Sequence, residues 1–302
     1  MRALVTGGAG FIGSHIVDRL LDEGWDVRVL DNLSTGNLDN LDTKRAQFIE
    51  GDIRDIATLL TVMQDVDVVF HLAAMPAVPR SIKMPVTTNS VNVDGTLLVL
   101  EVAHSQGVRR VVYSSSSSVY GDTAKLPKVE NMQTLPLSPY AVQKLAGEGY
   151  CSVYNKVFGL ETVALRYFNV FGPRQNPNSD YAAVIPKFIT HAKMDSEPTI
   201  DGDGNNTRDF TYVQNVVDAN LLAAWSPDAV GRVINVGGGQ QTSINTLWHI
   251  IKGLVGTDVE AIHGHPRQGD VKDSLAGMKV ASALLGYYPS VDLKEGLEEM
   301  IG

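Results

Sequence analysis

The chain has 302 residues, of which 44% are hydrophobic and 20% are charged, and these values suit a globular fold of one large or two modest domains. A net charge of −9 without any lysine–arginine block argues against nucleic acid or an anionic membrane as a partner. The single cysteine, Cys151, excludes an internal disulfide and fits a cytoplasmic protein, and no apolar run reaches membrane-spanning length.

The first stretch of interest is a glycine-rich turn between an apolar run at residues 3–5 and an amphipathic segment. Gly8, Gly10 and Gly13 match G-x-G-x-x-G, and Gly7 shares the second and third of these in a G-x-x-G-x-x-G spacing. Such glycines permit a sharp turn, let the backbone approach a pyrophosphate and let a helix pack closely on a strand. A glycine turn without a ligand is the alternative, but the flanking strand and helix favour a dinucleotide site.

A second strand is predicted over residues 25–31, and it ends in Asp31. A carboxylate about 20 residues beyond the glycines can accept a hydrogen bond from an adenosine 2′-hydroxyl and would repel a 2′-phosphate, so NAD is favoured over NADP. The alternative is a strand-end carboxylate that caps the next turn. Polar residues that could wrap the ribose follow, namely Asn32, Ser34, Thr35 and Gly36.

A short third strand over residues 47–50 leads to Asp52 and Ile53. We expect the carboxylate of Asp52 to meet the adenine amino group and the side chain of Ile53 to pack on the ring. A helix is predicted over residues 56–64.

The fourth strand is predicted over residues 67–71, where a continuous apolar run is typical of a parallel strand buried on both faces. Leu72, Ala73 and Ala74 follow it, and such small or apolar side chains suit a backbone that lies against a ligand. His71 is expected to be a packed histidine rather than a ligand.

A long helix over residues 89–106 and a fifth strand over residues 109–113 continue the alternation, which predicts a doubly wound parallel α/β sheet. Five serines, residues 114–118, follow this strand. A low-complexity linker is the alternative, but the run is short and adjoins a buried strand. Hydroxyls at the carboxyl end of a central strand lie where such folds bind ligands.

Tyr140 and Lys144 lie four residues apart in a segment that Ser138 and Pro139 start as a helix, so they share one helical face. A nearby ammonium and an oxidised nicotinamide would favour the Tyr140 phenolate. The phenolate could then take a proton from a sugar hydroxyl while NAD oxidises the carbon, with a serine relaying the proton. Lys144 would also hold the nicotinamide ribose.

Together, the glycine turn, residues 31–36, the His-Leu-Ala-Ala run at 71–74, the Ser-Val-Tyr-Gly run and Tyr-x-x-x-Lys resemble the extended short-chain dehydrogenase/reductase family, its nucleotide-sugar 4-epimerases in particular. The resemblance runs nearly end to end. It implies an NAD-binding Rossmann domain over residues 1–168. Residues 169–302 would form mainly a smaller C-terminal substrate domain, with some segments returning to the Rossmann sheet.

The resemblance assigns the catalytic roles to Ser116, Tyr140 and Lys144. Related dehydratases and decarboxylases carry an acid where this chain has Ser117 and Ser118, and the difference favours epimerisation. The expected NAD contacts are Gly7, Gly10, Phe11, Ile12, Gly13, Asp31, Asn32, Ser34, Thr35, Gly36, Asp52, Ile53, Leu72, Ala73, Ala74, Asn92, Ser114, Tyr140, Lys144, Tyr167 and Phe168.

Beyond a sixth strand predicted over residues 162–169, a helix is expected to open at 181–186 and a strand and turn at 199–204 to meet the uracil. Arg208 and Arg267 would clamp the diphosphate, and Asp270 would bind the uridine ribose. His263 and His265 are interpreted as loop residues, and no metal site is predicted. The expected substrate contacts are Ser116, Ser117, Tyr140, Asn169, Gln175, Ala183, Val184, Ile200, Arg208, Arg267, Asp270 and Ser274.

The resemblance implies NAD-dependent 4-epimerisation of a UDP-hexose. The run from Arg166 to Pro186 is similar to bacterial UDP-N-acetylglucosamine 4-epimerases, although Pro76 stands at about the position of a glycine in them. Ser274 replaces a tyrosine of glucose-only enzymes, so N-acetylated UDP-hexoses are expected as substrates, with UDP-glucose and UDP-galactose slower.

Two other functions remain open: a UDP-glucuronate 4-epimerase and a non-catalytic NAD-sensing protein. A homodimer is expected through the helices at residues 89–106 and 139–158.

Overall fold

The computed structural model describes residues 1–176, 183–265 and 271–302. Its first part alternates strands and helices along the chain. The elements are β1 (Arg2–Thr6), α1 (Phe11–Asp22), β2 (Asp26–Asp31), β3 (Gln47–Glu50), α2 (Ile56–Val62), β4 (Val68–His71), α3 (Val78–Lys83), α4 (Pro85–Asn89), α5 (Thr96–Ser105), β5 (Arg110–Ser116), α6 (Pro139–Phe158) and β6 (Glu161–Tyr167).

The second part has shorter strands between its helices. In order they are β7 (Val170–Phe171), α7 (Val184–Lys193), β8 (Thr199–Asp201), β9 (Thr207–Arg208), β10 (Thr211–Tyr212), α8 (Val213–Trp225), β11 (Arg232–Val236), β12 (Thr242–Ser243), α9 (Ile244–Val255), β13 (Ile262–Gly264), α10 (Lys279–Leu285) and α11 (Leu293–Ile301).

Seven strands form one parallel sheet in the order β11-β6-β5-β4-β1-β2-β3. The β1 strand lies inside it, because Ala3 is paired with Val27 of β2 on one side and with Val68 of β4 on the other. The order therefore reverses between β1 and β4, and in such sheets ligands bind at the carboxyl ends of the strands beside this reversal. The doubly wound parallel α/β fold is confirmed.

Helices cover both faces of the sheet because its strands are apolar on both sides. On one face α1 and α8 pack together through buried residues such as Ile16, Leu20 and Val217. On the other face α2, α5 and α6 bury residues such as Leu59 and Leu100. Burial of a large aliphatic side chain stabilises the fold by about 1.5–3 kcal/mol.

Several predicted bounds change. The fifth strand continues past Tyr113 to Ser116, so three of the five serines lie in β5. The helix predicted over residues 89–106 starts at Pro85, and a single π turn, Ser90–Gly95, joins α4 to α5. Residues 181–182, where a helix was expected to open, lie outside the described residues, and α7 begins at Val184.

The helix α6 is confirmed at both ends and carries Tyr140 and Lys144. The Ser138 hydroxyl accepts a hydrogen bond from the Ala141 amide at 3.2 Å, and Pro139 occupies the first helical position. Gly159 ends the helix in the left-handed region, with φ +75°.

A third apolar cluster lies among the later elements and contains Phe188 of α7, Trp248 and Ile251 of α9, and Leu297 of α11. Strand β11 does not belong to it but lies at the edge of the seven-stranded sheet beside β6. In the described ranges, no helix combines the length and the apolar character that crossing a membrane requires. The division at residue 168 remains a prediction.

Candidate functional site

A cavity of about 670 Å³ opens at the carboxyl ends of the central strands. Most of the residues singled out in the sequence lie on its wall. They are Gly7, Gly10, Phe11, Ile12, Gly13, Asp31, Asn32, Ser34, Thr35, Asp52, Ile53, Leu72, Ala73, Ala74, Ser114, Ser116, Ser117, Tyr140, Lys144, Tyr167, Phe168, Asn169, Arg208 and Ser274.

Other expected contacts do not lie on this wall. Gly36, Asn92, Gln175, Ala183, Val184 and Ile200 are described but do not line the cavity. Arg267 and Asp270 lie outside the described residues. Conversely, the wall includes Met75, Lys128, Val271 and Asp273, which the sequence did not indicate as contacts, and Pro76, whose position the resemblance places near the sugar.

The glycine turn packs too closely on neighbouring backbone to admit side chains. A Cβ on Gly7, which has φ +71°, would lie 2.7 Å from the Ala73 amide nitrogen, and one on Gly13 would lie 2.2 Å from the Gly7 carbonyl oxygen. The helix α1 begins directly after Gly10, which offers no side-chain cap, and has no acidic residue in its first turn. Its free amide groups and positive dipole end thus fit a pyrophosphate, as NAD requires.

Asp31 holds the turn and also faces the cavity. Its carboxylate accepts hydrogen bonds from the Ala9 amide at 3.0 Å and from the Leu33 amide at 2.9 Å. Burial raises the pKa of Asp31, and the two backbone bonds oppose that rise. The capping role posed as an alternative is therefore present, and each oxygen keeps a lone pair for a ribose hydroxyl.

The expected adenine end is held by an exposed polar cluster. Arg54 binds the Asp52 carboxylate through two nitrogens at 2.8 and 2.7 Å, and Asn32 donates to it at 3.0 Å. These bonds lower the pKa of Asp52 to about 2. Behind it, Gly95 of the π turn leaves space for Ile53, since a Cβ there would lie 2.6 Å from the Ile53 Cδ1 atom.

His71 is buried, with 1% of its surface exposed. Both ring nitrogens take part in a chain of hydrogen bonds in which each donor and acceptor can be assigned. Burial and the Lys144 charge lower its pKa to about 3, so the ring is neutral. The Thr96 hydroxyl donates to the Asn92 carbonyl at 2.8 Å and therefore accepts from His71 Nε2–H at 3.0 Å. The Thr6 hydroxyl then donates to His71 Nδ1 at 2.7 Å and accepts from the Ala73 amide at 3.3 Å.

Asn92 lies behind the cavity wall rather than on it. Its side chain accepts from the Met75 amide at 2.7 Å and donates to the Met75 carbonyl at 3.0 Å and to Gln143 Oε1 at 2.8 Å. Both amide hydrogens are thus used within the protein. Asn92 fixes the loop after β4, and its direct contact with NAD remains a prediction.

Ser116, Tyr140 and Lys144 meet at one end of the cavity. The Ser116 hydroxyl lies beside the Tyr140 phenol and lowers its pKa, and the Lys144 ammonium lies 5.8 Å from the centre of the Tyr140 ring. Lys144 donates to the Ser114 carbonyl at 2.6 Å. The arrangement brings a hydroxyl, a phenol and an ammonium together, which are the groups needed to move a proton at a sugar hydroxyl.

The protein alone does not produce the expected stabilisation of the Tyr140 phenolate by Lys144. Burial raises the pKa of Tyr140 to about 12, and the nearby Ser116 hydroxyl offsets this rise only in part. Burial also lowers the pKa of Lys144 to about 8, against the attraction of Glu148. In the protein by itself Tyr140 is a phenol at neutral pH, because the cost of burying a phenolate exceeds the stabilisation by Ser116.

The part of the wall that is expected to meet the sugar comes from later segments. Ser274 is 8% exposed, and its hydroxyl oxygen is buried with no hydrogen-bond partner among the described residues. Its amide donates to the Thr207 carbonyl at 3.1 Å, which places the segment against β9. The side chain of Asn169 donates to the Asp209 carbonyl at 3.2 Å.

Four expected substrate contacts lie elsewhere. Ile200 is 2% exposed and packs in the cluster around Phe188, so its side chain cannot reach a ligand in this arrangement. Gln175 donates to the Val170 carbonyl at 3.2 Å, while its own side-chain oxygen is buried without a described partner. Ala183 and Val184 stand at the start of α7.

Among the described residues, no three histidine, cysteine, aspartate or glutamate side chains gather as metal ligands would. His263 instead pairs with the Gly202 carbonyl at 2.9 Å.

Comparison with known proteins gives consistent similarities. The model of the NAD dependent epimerase/dehydratase family matches residues 3–237. A putative UDP-glucose 4-epimerase of Methanocaldococcus jannaschii is 44% identical over 301 residues, which cover 99% of this chain and 96% of the relative.

Two solved structures are similar over their whole length. The UDP-glucose 4-epimerase of Thermotoga maritima with UDP-glucose has a TM-score of 0.96 at 39% identity, covering 100% of this chain and 97% of that one. The UDP-N-acetylglucosamine 4-epimerase of Methanobrevibacter ruminantium, in complex with UDP-N-acetylmuramic acid, has a TM-score of 0.95 at 42% identity, covering 99% and 96%.

Proposed function

The chain belongs to the NAD-dependent epimerase/dehydratase family, and from that premise we propose how its cavity acts and on which sugar. It is an enzyme that uses NAD to epimerise UDP-sugars at C4. The finer assignment is to UDP-N-acetylglucosamine and UDP-N-acetylgalactosamine, with UDP-glucose and UDP-galactose as slower substrates.

Tyr140 moves the proton at the sugar O4 atom. Bound NAD supplies reversible two-electron oxidation at C4 and, when oxidised, a positive charge near the phenol. Tyr140 takes the O4 proton and later returns it, while Ser116 hydrogen-bonds the same oxygen. The 4-keto sugar turns over between the two events, and the configuration at C4 is thereby inverted.

The observation that carries epimerisation is the hydroxyl pair at positions 117 and 118. Ser117 and Ser118 both lie on the cavity wall, and neither can donate a proton as a carboxylic acid would. Loss of water from the sugar needs such an acid, whereas epimerisation needs only the groups around Tyr140. The keto sugar is therefore returned to an alcohol rather than dehydrated.

Ser274 supports the choice of an N-acetylated sugar. Its small side chain lies on the wall, and no described group bonds its hydroxyl. An acetamido group offers both a carbonyl acceptor and an amide donor to such a hydroxyl. A rigid wall discriminates by exclusion, while an open one loses only the added contacts with the smaller sugar, about 1–3 kcal/mol.

We assign binding of the nucleotide to other residues from the second half of the chain. Arg208 lies on the wall, and we propose that it clamps the diphosphate together with Arg267, while Asp270 binds the uridine ribose. Asn169 stands between the sugar and the phosphates in this arrangement.

Separate incubation with UDP-glucose, UDP-N-acetylglucosamine and UDP-glucuronate, followed by separation of the products, tests the proposal. We expect fastest formation of UDP-N-acetylgalactosamine and slower formation of UDP-galactose. Brisk turnover of UDP-glucuronate alone would make the protein a UDP-glucuronate 4-epimerase. A bound NAD without turnover of any sugar would instead indicate an NAD-sensing protein.

We propose a homodimer as the working form and the cytoplasm as its location. The dimer is inferred from an apolar stripe on α6, where Val142, Val153 and Val157 are 53%, 46% and 69% exposed. The location is inferred from the lone, buried Cys151.

A further inference from the structure

A buried ion pair lies behind the wall of the cavity. Glu148 of α6 and Arg166 of β6 each expose 5% of their side chains. Arg166 donates to the two carboxylate oxygens of Glu148 at 2.8 and 2.7 Å, and its guanidinium lies 4.6 Å from the centre of the Tyr120 ring. Buried charges are costly unless they are paired in this way.

Glu148 also makes a third bond, to the strand that carries the serines. The Ser115 hydroxyl donates to Glu148 Oε1 at 2.5 Å. Ser115 stands between Ser114, whose carbonyl accepts from Lys144, and Ser116, whose hydroxyl lies beside the Tyr140 phenol. The Glu148 carboxylate therefore fixes Ser115. The serines on either side of Ser115 contact Lys144 and Tyr140.

Gly147 lets the side chain of Tyr113 from β5 lie directly against α6. A Cβ on Gly147 would lie 2.2 Å from the Tyr113 hydroxyl oxygen. Tyr140, Lys144 and Glu148 follow one another at four-residue spacing on α6, so they share one face of the helix. The hydrogen bond from Ser115 to Glu148 thus fixes the position of Tyr140 and Lys144 relative to Ser116.

Glu148 is also the carboxylate that acts on Lys144. The groups around the ammonium are Tyr140, Glu148 and Cys151 on α6, Tyr113 on β5 and His71 on β4. The phenols, the thiol and the imidazole are neutral near pH 7, because burial raises the pKa of Tyr113, Tyr140 and Cys151 and lowers that of His71. Glu148 therefore supplies the negative charge that favours the ammonium.

We propose that Glu148 is a positioning residue of the reaction, which keeps Lys144 cationic and fixes the serine strand against the Tyr140–Lys144 face of α6. Arg166 has the secondary role of holding the carboxylate in place. The inference rests on the proposed epimerase function, since turnover is its readout.

Glu148→Gln in the NAD-bound enzyme tests the charge, because it keeps the shape of the side chain. We expect the basic limb of the kcat–pH profile to move down by about one pH unit, with KM for the UDP-sugar unchanged. At pH 8 this corresponds to a loss of about fivefold in kcat, with little loss at pH 6. The control is Glu101→Gln, which removes a carboxylate of α5 that accepts from the hydroxyl of Tyr154, a later residue of α6, at 2.7 Å.

The double variant Glu148→Gln/Arg166→Met separates positioning from simple pairing. Its buried charges are both gone, so it also serves if the single variant does not fold because Arg166 is left unpaired. A shifted basic limb in the double variant supports the proposal. Recovery of the wild-type profile would mean that Glu148 acts only as the counter-ion of Arg166 and would overturn it.

Ser115→Ala, which keeps every charge, provides the independent mild change. We expect kcat to fall several-fold with the basic limb in place, and wild-type kcat would contradict the proposed role of the bond to Glu148. An inactive wild-type enzyme, by contrast, would count against the epimerase function and not against the ion pair.

Discussion

At the scale of single residues, burial acts on the two ionisable groups of α6 in opposite directions. It raises the pKa of Tyr140 to about 12 and lowers the pKa of Lys144 to about 8. Both shifts favour the neutral form, because a charge in a poorly hydrated site loses solvation. Lys144 is therefore the group that titrates near the pH at which an enzyme of this kind is assayed.

The kcat of the wild-type enzyme is expected to fall as pH rises above about 8. The ammonium of Lys144 is present below its pKa and is lost above it, so the basic limb reports this group. Measurement at saturating UDP-sugar from pH 6 to 10 gives the profile, and Lys156→Met, at the far end of the same helix, is the control. A flat profile to pH 10 would show that Lys144 does not limit turnover as a cation.

Tyr140→Phe is expected to reduce kcat by about 10²- to 10⁴-fold, the usual worth of a positioned acid–base group. The cofactor should remain bound, because the glycine turn and Asp31 are unchanged. Product formation and the NAD content of the purified protein are measured together. Tyr288→Phe, at a side chain that is 70% exposed, is the matched control, and retained turnover in Tyr140→Phe would exclude the mechanism.

Ser274→Tyr is expected to lower turnover of UDP-N-acetylglucosamine by about 100-fold or more while UDP-glucose is spared, since a rigid ring fills the space of the acetamido group. Kinetics with both sugars give the ratio. Ser274→Ala distinguishes size from hydrogen bonding, because it removes the hydroxyl and leaves the space. Equal losses for the two sugars in Ser274→Tyr would mean that Ser274 does not face the acetamido group.

At the scale of elements, the sequence predicts a structure wherever one local pattern decides it. The strand over residues 47–50 and the helix over 139–158 are confirmed at both bounds, because short apolar runs and a Ser-Pro start are local signals. The π turn at Ser90–Gly95 was not predicted, since its residues also suit an ordinary helix. Its cause is tertiary, as Gly95 meets Ile53 and Asn92 meets Met75.

The contrast between local patterns and tertiary contacts also explains which site residues were predicted from the sequence and which were missed. Tyr140 and Lys144 stand at helical spacing after a strand-end serine run. Glu148 continues that spacing by one more turn, which is the signal that could have pointed to it. Its partner Arg166 lies on strand β6, and no local pattern in the sequence links Arg166 with Glu148.

Thr96→Val tests the chain of hydrogen bonds that joins β1, β4 and α5 through His71. The change keeps the shape but removes both the acceptor of His71 Nε2–H and the donor to Asn92, so we expect a loss of about 1–3 kcal/mol in the free energy of unfolding. Urea denaturation measures it. The matched control is Thr61→Val, whose exposed hydroxyl bonds the Ala57 carbonyl at 2.9 Å in α2 and should cost less than about 0.5 kcal/mol.

At the scale of the whole molecule, an apolar face of α6 is exposed among the residues that the structure describes. Val142, Val153 and Val157 lie along α6, and Val86 of α4, on the neighbouring helical segment, is 81% exposed. Contiguous exposed apolar side chains are typical of an interface between proteins.

Val153→Glu is expected to convert the proposed dimer into a monomer, because a carboxylate would be buried without a partner between two copies of α6. Light scattering after gel filtration gives the mass. Met194→Glu, at a side chain that is 72% exposed beyond the end of α7, should leave the mass unchanged. A wild-type protein that is already monomeric would contradict the dimer.

The strand order has a consequence for the chain as it leaves the ribosome. Strand β6 lies between β5 and β11, but β11 begins only at Arg232, so one edge of β6 stays open while the intervening residues are made. Arg110 likewise lacks the carbonyls of Ala223 and Ser226, which it binds at 2.9 and 2.8 Å, until those residues have been made. An open edge of this kind pairs readily with other chains, so the nascent protein is exposed to aggregation at least until residue 236 has emerged from the ribosome.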